Sequence, residues 1–441
     1  MANPVAKLVA VIKPKWREAH FLLGSMLLAV FFGGRVPVCA DEPPLPARSE
    51  QIERDHSRAA VDSLQQYLAL DPSVRGSLAE HVPTKVLLTR GDAEEAEALL
   101  WTDHSQMIRQ TRKAEIKERR LHDGDLLMPF HYEVFGEKPN SGRSLFISLH
   151  GGGGAPKQVN DQQWENQKHL YRPEEGIYVA PRAPTDAWDL WHQPHIDRLF
   201  ARLIEDLVVF EDVDPNRVFL MGYSAGGDGV YKLAPRMADR WAAAAMMAGH
   251  PNGVSPLGLR NIAFTIHVGE NDAAYDRNKV AAQWERDLAA LHASDPAGYT
   301  HLVKIYPGKG HWLDREDAAA VAWMAKFTRD PLPKRVVWKQ DGVTHRRFYW
   351  LAVDSDQART DTEIIADLDG QRIDVKAEGL RRLIVRLNDQ MLDLDRPIVI
   401  AAAGKEVFHG TAPRTIGTLV RTLGEYGDPK GVFSSEILVQ W

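Results

Sequence analysis

The spacing of apolar residues changes along the chain, and each change marks a different kind of structure. Between residues 50 and 122, Ala60, Leu64, Tyr67 and Leu68 recur at helical spacing, as do Ala96, Leu99 and Leu100. That recurrence puts apolar side chains on one face of a helix. The stretch 109–120 is densely charged and reads as a solvated helix. From residue 126 short apolar runs take over, at 126–135, 144–149, 176–179, 217–221, 263–268 and 301–306. These predict strands, separated by segments of helical period. The clearest such segment is 196–210, with Ile196, Leu199, Phe200, Leu203, Ile204, Leu207 and Val208 on one face. Strands alternating with helices imply a mostly parallel sheet with helices on both faces. In such sheets, sites lie at the carboxyl ends of the strands.

After Asp330-Pro331-Leu332-Pro333 the pattern becomes short β-rich segments, at 335–338, 347–353, 362–367, 372–376, 383–387 and 398–402. They predict an all-β sandwich. The expected organisation is a helical N-terminal region at 41–125 that opens with a Pro-rich linker, an α/β region at 126–329, and a β-sandwich at 334–441.

The first forty residues follow another rule. Lys7, Lys13, Lys15 and Arg17 precede an apolar stretch from Phe21 to Phe32, then Val38-Cys39-Ala40 and the acidic, Pro-rich Asp41-Glu42-Pro43-Pro44. That order matches a secretory signal: a basic front, a short apolar segment and a small residue at the cut. Residues 1–40 are therefore expected to be a signal peptide and the protein to be secreted or periplasmic, with no stable membrane insertion after processing. The alternative is retention as an anchor, but twelve helical residues span only about 18 Å, short of a hydrocarbon core of about 30 Å. Cleavage after Ala40 removes five cations and one anion, moving the formal charge from −6 to −10, and removes the one cysteine.

An acidic chain without a basic block is not expected to bind nucleic acid, since phosphate affinity comes from clustered Lys and Arg. One cysteine excludes an intrachain disulfide, a Cys zinc site and an iron–sulfur cluster. His192 and His195 lie close together, but two histidines without a third ligand are a weak case for a metal. Neither a metal nor a cofactor is expected.

The chemistry gathers at strand ends. The run 217–221 leads into Gly222-Tyr223-Ser224-Ala225-Gly226-Gly227, followed by a helical stretch at 228–238. This is Gly-x-Ser-x-Gly in strand–turn–helix context, the arrangement that lifts a serine hydroxyl clear of a sheet. Ser224 is the expected nucleophile, and glycines flank it because a Cβ there would collide with the neighbouring strand or helix. The strand at 144–149 ends in His150-Gly151-Gly152-Gly153-Gly154. A phosphate loop would need Gly-Lys-Ser/Thr next, but Ala155-Pro156-Lys157 follows. The loop reads as half of an oxyanion hole, with Gly151 or Gly152 as donor, and the N–H of Ala225 supplies the other half. The strand at 263–268 ends in Gly269-Glu270-Asn271-Asp272, and that at 301–306 in Pro307-Gly308-Lys309-Gly310-His311. Asp272 and His311 are the expected acid and base, in the order Ser, Asp, His; Glu270 and Asp276 are competing acids. Trp188 and Trp191 could line a substrate pocket or be plain packing.

These motifs resemble those of the α/β-hydrolase superfamily, closest to the secreted esterases of the polyhydroxybutyrate depolymerase, feruloyl esterase and acetyl xylan esterase type. The resemblance covers about 126–328 and includes the run Val213-Asp214-Pro215-Asn216-Arg217-Val218. It implies an α/β-hydrolase fold and hydrolysis, through an acyl-enzyme, of a small-molecule or polymer ester. Two departures stand out: Asp272-Ala273-Ala274-Tyr275 lacks the Val-Pro often seen after the aspartate, and no lipid-binding lid follows the elbow. Two other functions share parts of the pattern. One is a serine peptidase of the prolyl-oligopeptidase type, which lacks its repeated-blade region here. The other is a binding protein working through the sandwich.

Overall fold

The structure, a computed structural model, describes residues 48–441. The signal-peptide segment, residues 1–40, lies outside them. None of the described helices is long and apolar enough to cross a membrane.

The chain opens with α1 (Arg48–Leu68), α2 (Leu78–His81), α3 (Arg90–Thr111) and α4 (Lys113–Glu118). Eight strands then form one sheet: β1 (Arg120–Asp123), β2 (Leu126–Phe135), β3 (Arg143–Leu149), β4 (Gly176–Pro181), β5 (Val213–Tyr223), β6 (Ala243–Met247), β7 (Ala263–Gly269) and β8 (His301–Tyr306). Their order is β1-β2-β4-β3-β5-β6-β7-β8. β2 runs antiparallel to both its neighbours, and every pairing from β4 onward is parallel. This is the α/β-hydrolase fold. The central strands are buried along their lengths, and their runs are predominantly apolar rather than alternating, as a sheet covered on both faces requires. The covering helices are α5 (Lys157–Lys168), α6 (Pro194–Glu211), α7 (Ala225–Arg236), α8 (Arg277–Ser294) and α9 (Ala319–Met324).

Two strands of this sheet depart from the expected pattern. β1 falls inside the stretch read as helical, and β6 reads Ala-Ala-Ala-Met-Met, a composition that favours helix. Pairing on both sides, to β5 and β7, makes β6 a strand.

The C-terminal region holds β9 (Arg335–Lys339), β10 (Arg347–Phe348), β11 (Leu351–Ala352), β12 (Glu363–Asp369), β13 (Arg372–Glu378), β14 (Arg382–Leu387), β15 (Ile398–Ala402), β16 (Lys405–Gly410), α10 (Ile416–Tyr426) and β17 (Ser435–Gln440). They build a sheet of order β10-β11-β14-β17 and another of order β16-β15-β13-β12-β9. Alternate residues of both sheets, such as Val336, Ile364 and Ile373 from one and Leu351, Val385 and Ile437 from the other, enter one apolar core. The sandwich also carries α10, which the expectation of an all-β region omits.

Candidate active site

The elbow begins with β5 and ends with α7. Ser224 stands between them at φ 58°, ψ −121°, a conformation that a residue with a Cβ rarely adopts. It is held there by backbone bonds: its N–H donates to the Met247 carbonyl at 2.9 Å, and its carbonyl accepts from the Asp228 N–H at 3.0 Å. The turn is tight enough to require glycine at 226, where a Cβ would stand 2.1 Å from the Leu149 carbonyl oxygen. Ala225 is the first residue of α7, so its N–H is one of the helix's free donors and points with the positive end of the helix dipole.

Two loops bring the partners in. Asp272 follows β7 and His311 follows β8. The two loops press together at Gly269, where a Cβ would lie 2.0 Å from the Gly310 carbonyl oxygen. His311 Nδ1 is 2.8 Å from Asp272 Oδ2, and His311 Nε2 is 2.9 Å from Ser224 Oγ. With Asp272 ionised, Nδ1–H donates to it, which leaves Nε2 to accept from the serine hydroxyl. Asp272 is buried, with the Arg277 guanidinium 3.7 Å from its other oxygen. The competing acids are engaged elsewhere: Glu270 accepts from the Gly308 N–H at 2.8 Å, and Asp276 pairs with Lys279 at 2.7 Å.

The glycine loop lies against the serine. A side chain at 151 would stand 3.2 Å from Ser224 Cβ, and Gly151 and Gly152 line the same cleft as Ser224. The loop's shape is fixed from behind by His150 and Asn160. The fully buried His150 ring donates through Nδ1–H to the Gly151 carbonyl at 2.6 Å and accepts from the Ala183 N–H at 3.1 Å. Burial pushes its pKa down to about 4, so it is neutral at ordinary pH and holds backbone rather than moving protons. Asn160 accepts from the Gly153 N–H at 2.8 Å and donates to the Ala155 carbonyl at 3.0 Å.

The cleft has a volume of about 700 Å³, and every residue lining it lies between Gly151 and Arg315. Gln163, Asn166 and Gln167 of α5 form one wall; Tyr223, Trp312 and Arg315 stand on the serine–histidine side. Tyr223 does more than line it. Its hydroxyl donates to the His311 carbonyl at 2.6 Å and accepts from the Leu313 N–H at 3.0 Å, clamping the loop that carries the base.

The structure does not bring the two expected tryptophans to the cleft. Trp191 is wholly buried in the core, and its Nε1–H donates to the His150 carbonyl at 3.0 Å. Trp188 is exposed, edge-on to His192 and outside the cleft lining. His192 and His195 gather no third ligand among the described residues. Of the residues that sequence reasoning passed over, Asn160 belongs to no motif and Tyr223 fills a variable position of the Gly-x-Ser-x-Gly run. The wall of α5 did leave a signal: Lys157–Lys168 is polar nearly all round, unusual for a helix covering a sheet.

Fold and geometry thus place this chain among proteins with an α/β-hydrolase fold and a serine–histidine–aspartate row at the carboxyl edge of the sheet. No known family profile matches it. Over 131 residues, 26% of this chain, it is 32% identical to NocK of Nocardia uniformis subsp. tsuyamanensis, a protein whose name calls it an esterase. The match spans 37% of that protein's length. Among solved structures it is similar to a thermostable esterase (17% identity, 48% of this chain and 62% of that one, TM-score 0.38). It is also similar to the feruloyl esterase module from Clostridium thermocellum complexed with sinapinate (17% identity, 47% and 86%, TM-score 0.34). A third is the acetyl xylan esterase from Aspergillus awamori (15% identity, 46% and 97%, TM-score 0.33).

Proposed function

We propose that this protein is an exported serine hydrolase that cleaves carboxylic esters through an acyl-enzyme, with Ser224 as nucleophile, His311 as base and Asp272 as its partner. The observation that supports this most is the continuous hydrogen-bonded row, 2.9 Å from serine to imidazole and 2.8 Å from imidazole to carboxylate, beside the free N–H of Ala225. His311 Nε2 takes the Ser224 proton as Oγ bonds to the ester carbonyl carbon. The N–H groups of Ala225 and of Gly151 or Gly152 stabilise the oxyanion. Collapse breaks the ester C–O bond, and the proton passes from His311 to the departing alkoxide. Water then repeats the sequence on the acyl-enzyme. Export rests on the signal-like residues 1–40 alone.

The cleft favours esters over peptide amides. An amide nitrogen must be protonated as it leaves, and extended peptide contacts usually supply the alignment this needs. The C-terminal sheets contribute no residue to the cleft, and His311 and Trp312 stand exposed at its mouth. The test is kcat/KM for an ester and the amide with the same acyl group, followed by a panel of p-nitrophenyl, feruloyl and acetyl-xylan esters. The ester is expected to be cleaved far faster, and Ser224→Ala to remove turnover. An amide cleaved as fast as its ester moves the assignment to a peptidase.

A further inference from the structure

Three metal-ligating side chains converge beside the serine cleft, in a place that the ester chemistry does not use. Alternation along β2 puts His131 and Glu133 on one face and Tyr132 on the other. His169 closes α5 as its C-terminal cap. Its Nδ1 is 3.1 Å from Glu133 Oε1, and His131 Nε2 is 3.3 Å from the same oxygen. The two imidazoles stand edge to face with centroids 5.6 Å apart, and the three ligand atoms lie within 4.8 Å of one another. His169 also lines the cleft that holds Ser224.

We propose that His131, Glu133 and His169 form a binding site for a divalent first-row transition metal ion of the Zn²⁺ class. Two imidazoles and one carboxylate suit zinc, nickel, copper or iron rather than calcium or magnesium, which take oxygen ligands. The spacing agrees: ligands about 2.0–2.2 Å from a tetrahedral zinc stand about 3.3–3.5 Å from each other. Two of the three edges of the triangle are already near that length. Three protein ligands leave a coordination position open, and His169 sets the ion at the cleft wall. No other group of three such side chains occurs among the described residues.

One neighbour opposes the ion. Arg119 lies over the Tyr132 ring at 4.7 Å, with its Nη1 3.5 Å from His131 Nδ1. It adds positive charge, and its donation to Nδ1 favours the tautomer with the proton on Nε2. Ligation by Nε2 needs the opposite tautomer. Arg119 is exposed, so it can turn into solvent, and removing it should tighten binding.

The proposal does not depend on the esterase reading, and its test does not measure hydrolysis. The full chain, stripped with chelator, is titrated with Zn²⁺ by calorimetry at about pH 7.5, where unprotonated imidazoles are free to ligate. Thermal unfolding is followed with and without the ion. The expected result is a raised Tm. His169→Ala and Glu133→Gln should each weaken the affinity by more than about tenfold, since even partners outside the ligand shell are worth about 10–100-fold. Arg119→Ala should strengthen it. The metal-free Tm of each variant separates lost binding from lost fold. The proposal is overturned if Zn²⁺ does not bind, or if it binds the His169 and Glu133 variants as tightly as the parent.

Discussion

Ser224 carries backbone strain that its chemistry requires. At φ 58°, ψ −121° the hydroxyl clears the sheet, and sparsely populated conformations of this kind cost about 1–3 kcal/mol when a Cβ is present. Ser224→Ala keeps the Cβ and the strain; Ser224→Gly removes both. Neither variant should turn over ester, but the glycine variant should be the more stable by about 1–3 kcal/mol in urea unfolding. Equal stabilities would mean that the elbow is unstrained. Tyr223→Phe tests the clamp. It leaves the His311 carbonyl and the Leu313 N–H without their partner, so kcat should fall about 10- to 100-fold, the equivalent of about 1–3 kcal/mol for an unsatisfied buried group. The fold should survive, and an unchanged kcat would sink the clamp. The meeting of Ser224, Asp272 and His311 was legible because each sits at a strand end marked by glycine. Tyr223 was not: its partners are backbone groups about ninety residues away, and nothing in a sequence pattern points at a carbonyl.

Among the elements, what could be read depended on whether the local composition agreed with the fold. β3, β4, β7 and β8 are rich in apolar, β-branched and aromatic residues, and their runs stand out. β6 is all Ala and Met, so only its neighbours make it a strand. α10 had a signal, with Ile416, Leu419 and Leu423 at helical spacing behind the Thr415 cap, but it sits within strand-rich chain. β7 also carries His267, buried between Thr265 and Tyr306, with its ring nitrogens 2.9 and 2.8 Å from the two hydroxyls. Burial pushes its pKa down to about 4 from an ordinary 6.5. Between those values the unfolded chain binds a proton that the folded chain does not. Stability from this group is therefore present above pH 6.5 and is lost as pH falls toward 4. Between about pH 7 and pH 5 the parent should lose about 2 kcal/mol more than His267→Gln. Urea midpoints at the two pH values measure it, and parallel losses would show that His267 does not titrate on unfolding.

At the scale of the whole molecule, regions that the sequence separates are joined. The described chain, residues 48–441, is one compact unit. Ala60, Leu64, Ala96 and Leu100 of α1 and α3 share a core with Ile416, Leu419 and Leu423 of α10, so the N-terminal helices pack on the C-terminal region. These contacts link residues more than three hundred positions apart, which local periodicity cannot register. The join to the sheet is polar and buried. Asp428 pairs with Arg329 at 2.7 Å and lies 4.0 Å from Arg240, all three nearly or wholly inaccessible. Burial alone would raise the Asp428 carboxyl, and Arg329 and Arg240 together with the hydrogen bonds it accepts more than offset it, holding the group below the usual carboxylate range. Asp428→Ala leaves two buried guanidiniums without their carboxylate, and removing one partner of a buried pair costs about 3–5 kcal/mol. Denaturant unfolding of the full chain should show that loss. The cleft residues all lie at or before Arg315, so ester turnover at low temperature should stay near the parent value. A chain ending near Phe327 loses Asp428 together with α10 and both C-terminal sheets. It uncovers α1 and α3 as well, and should fail to fold rather than yield a smaller enzyme. A truncated chain that unfolds cooperatively and reacts with a fluorophosphonate at Ser224 would show that the join is dispensable.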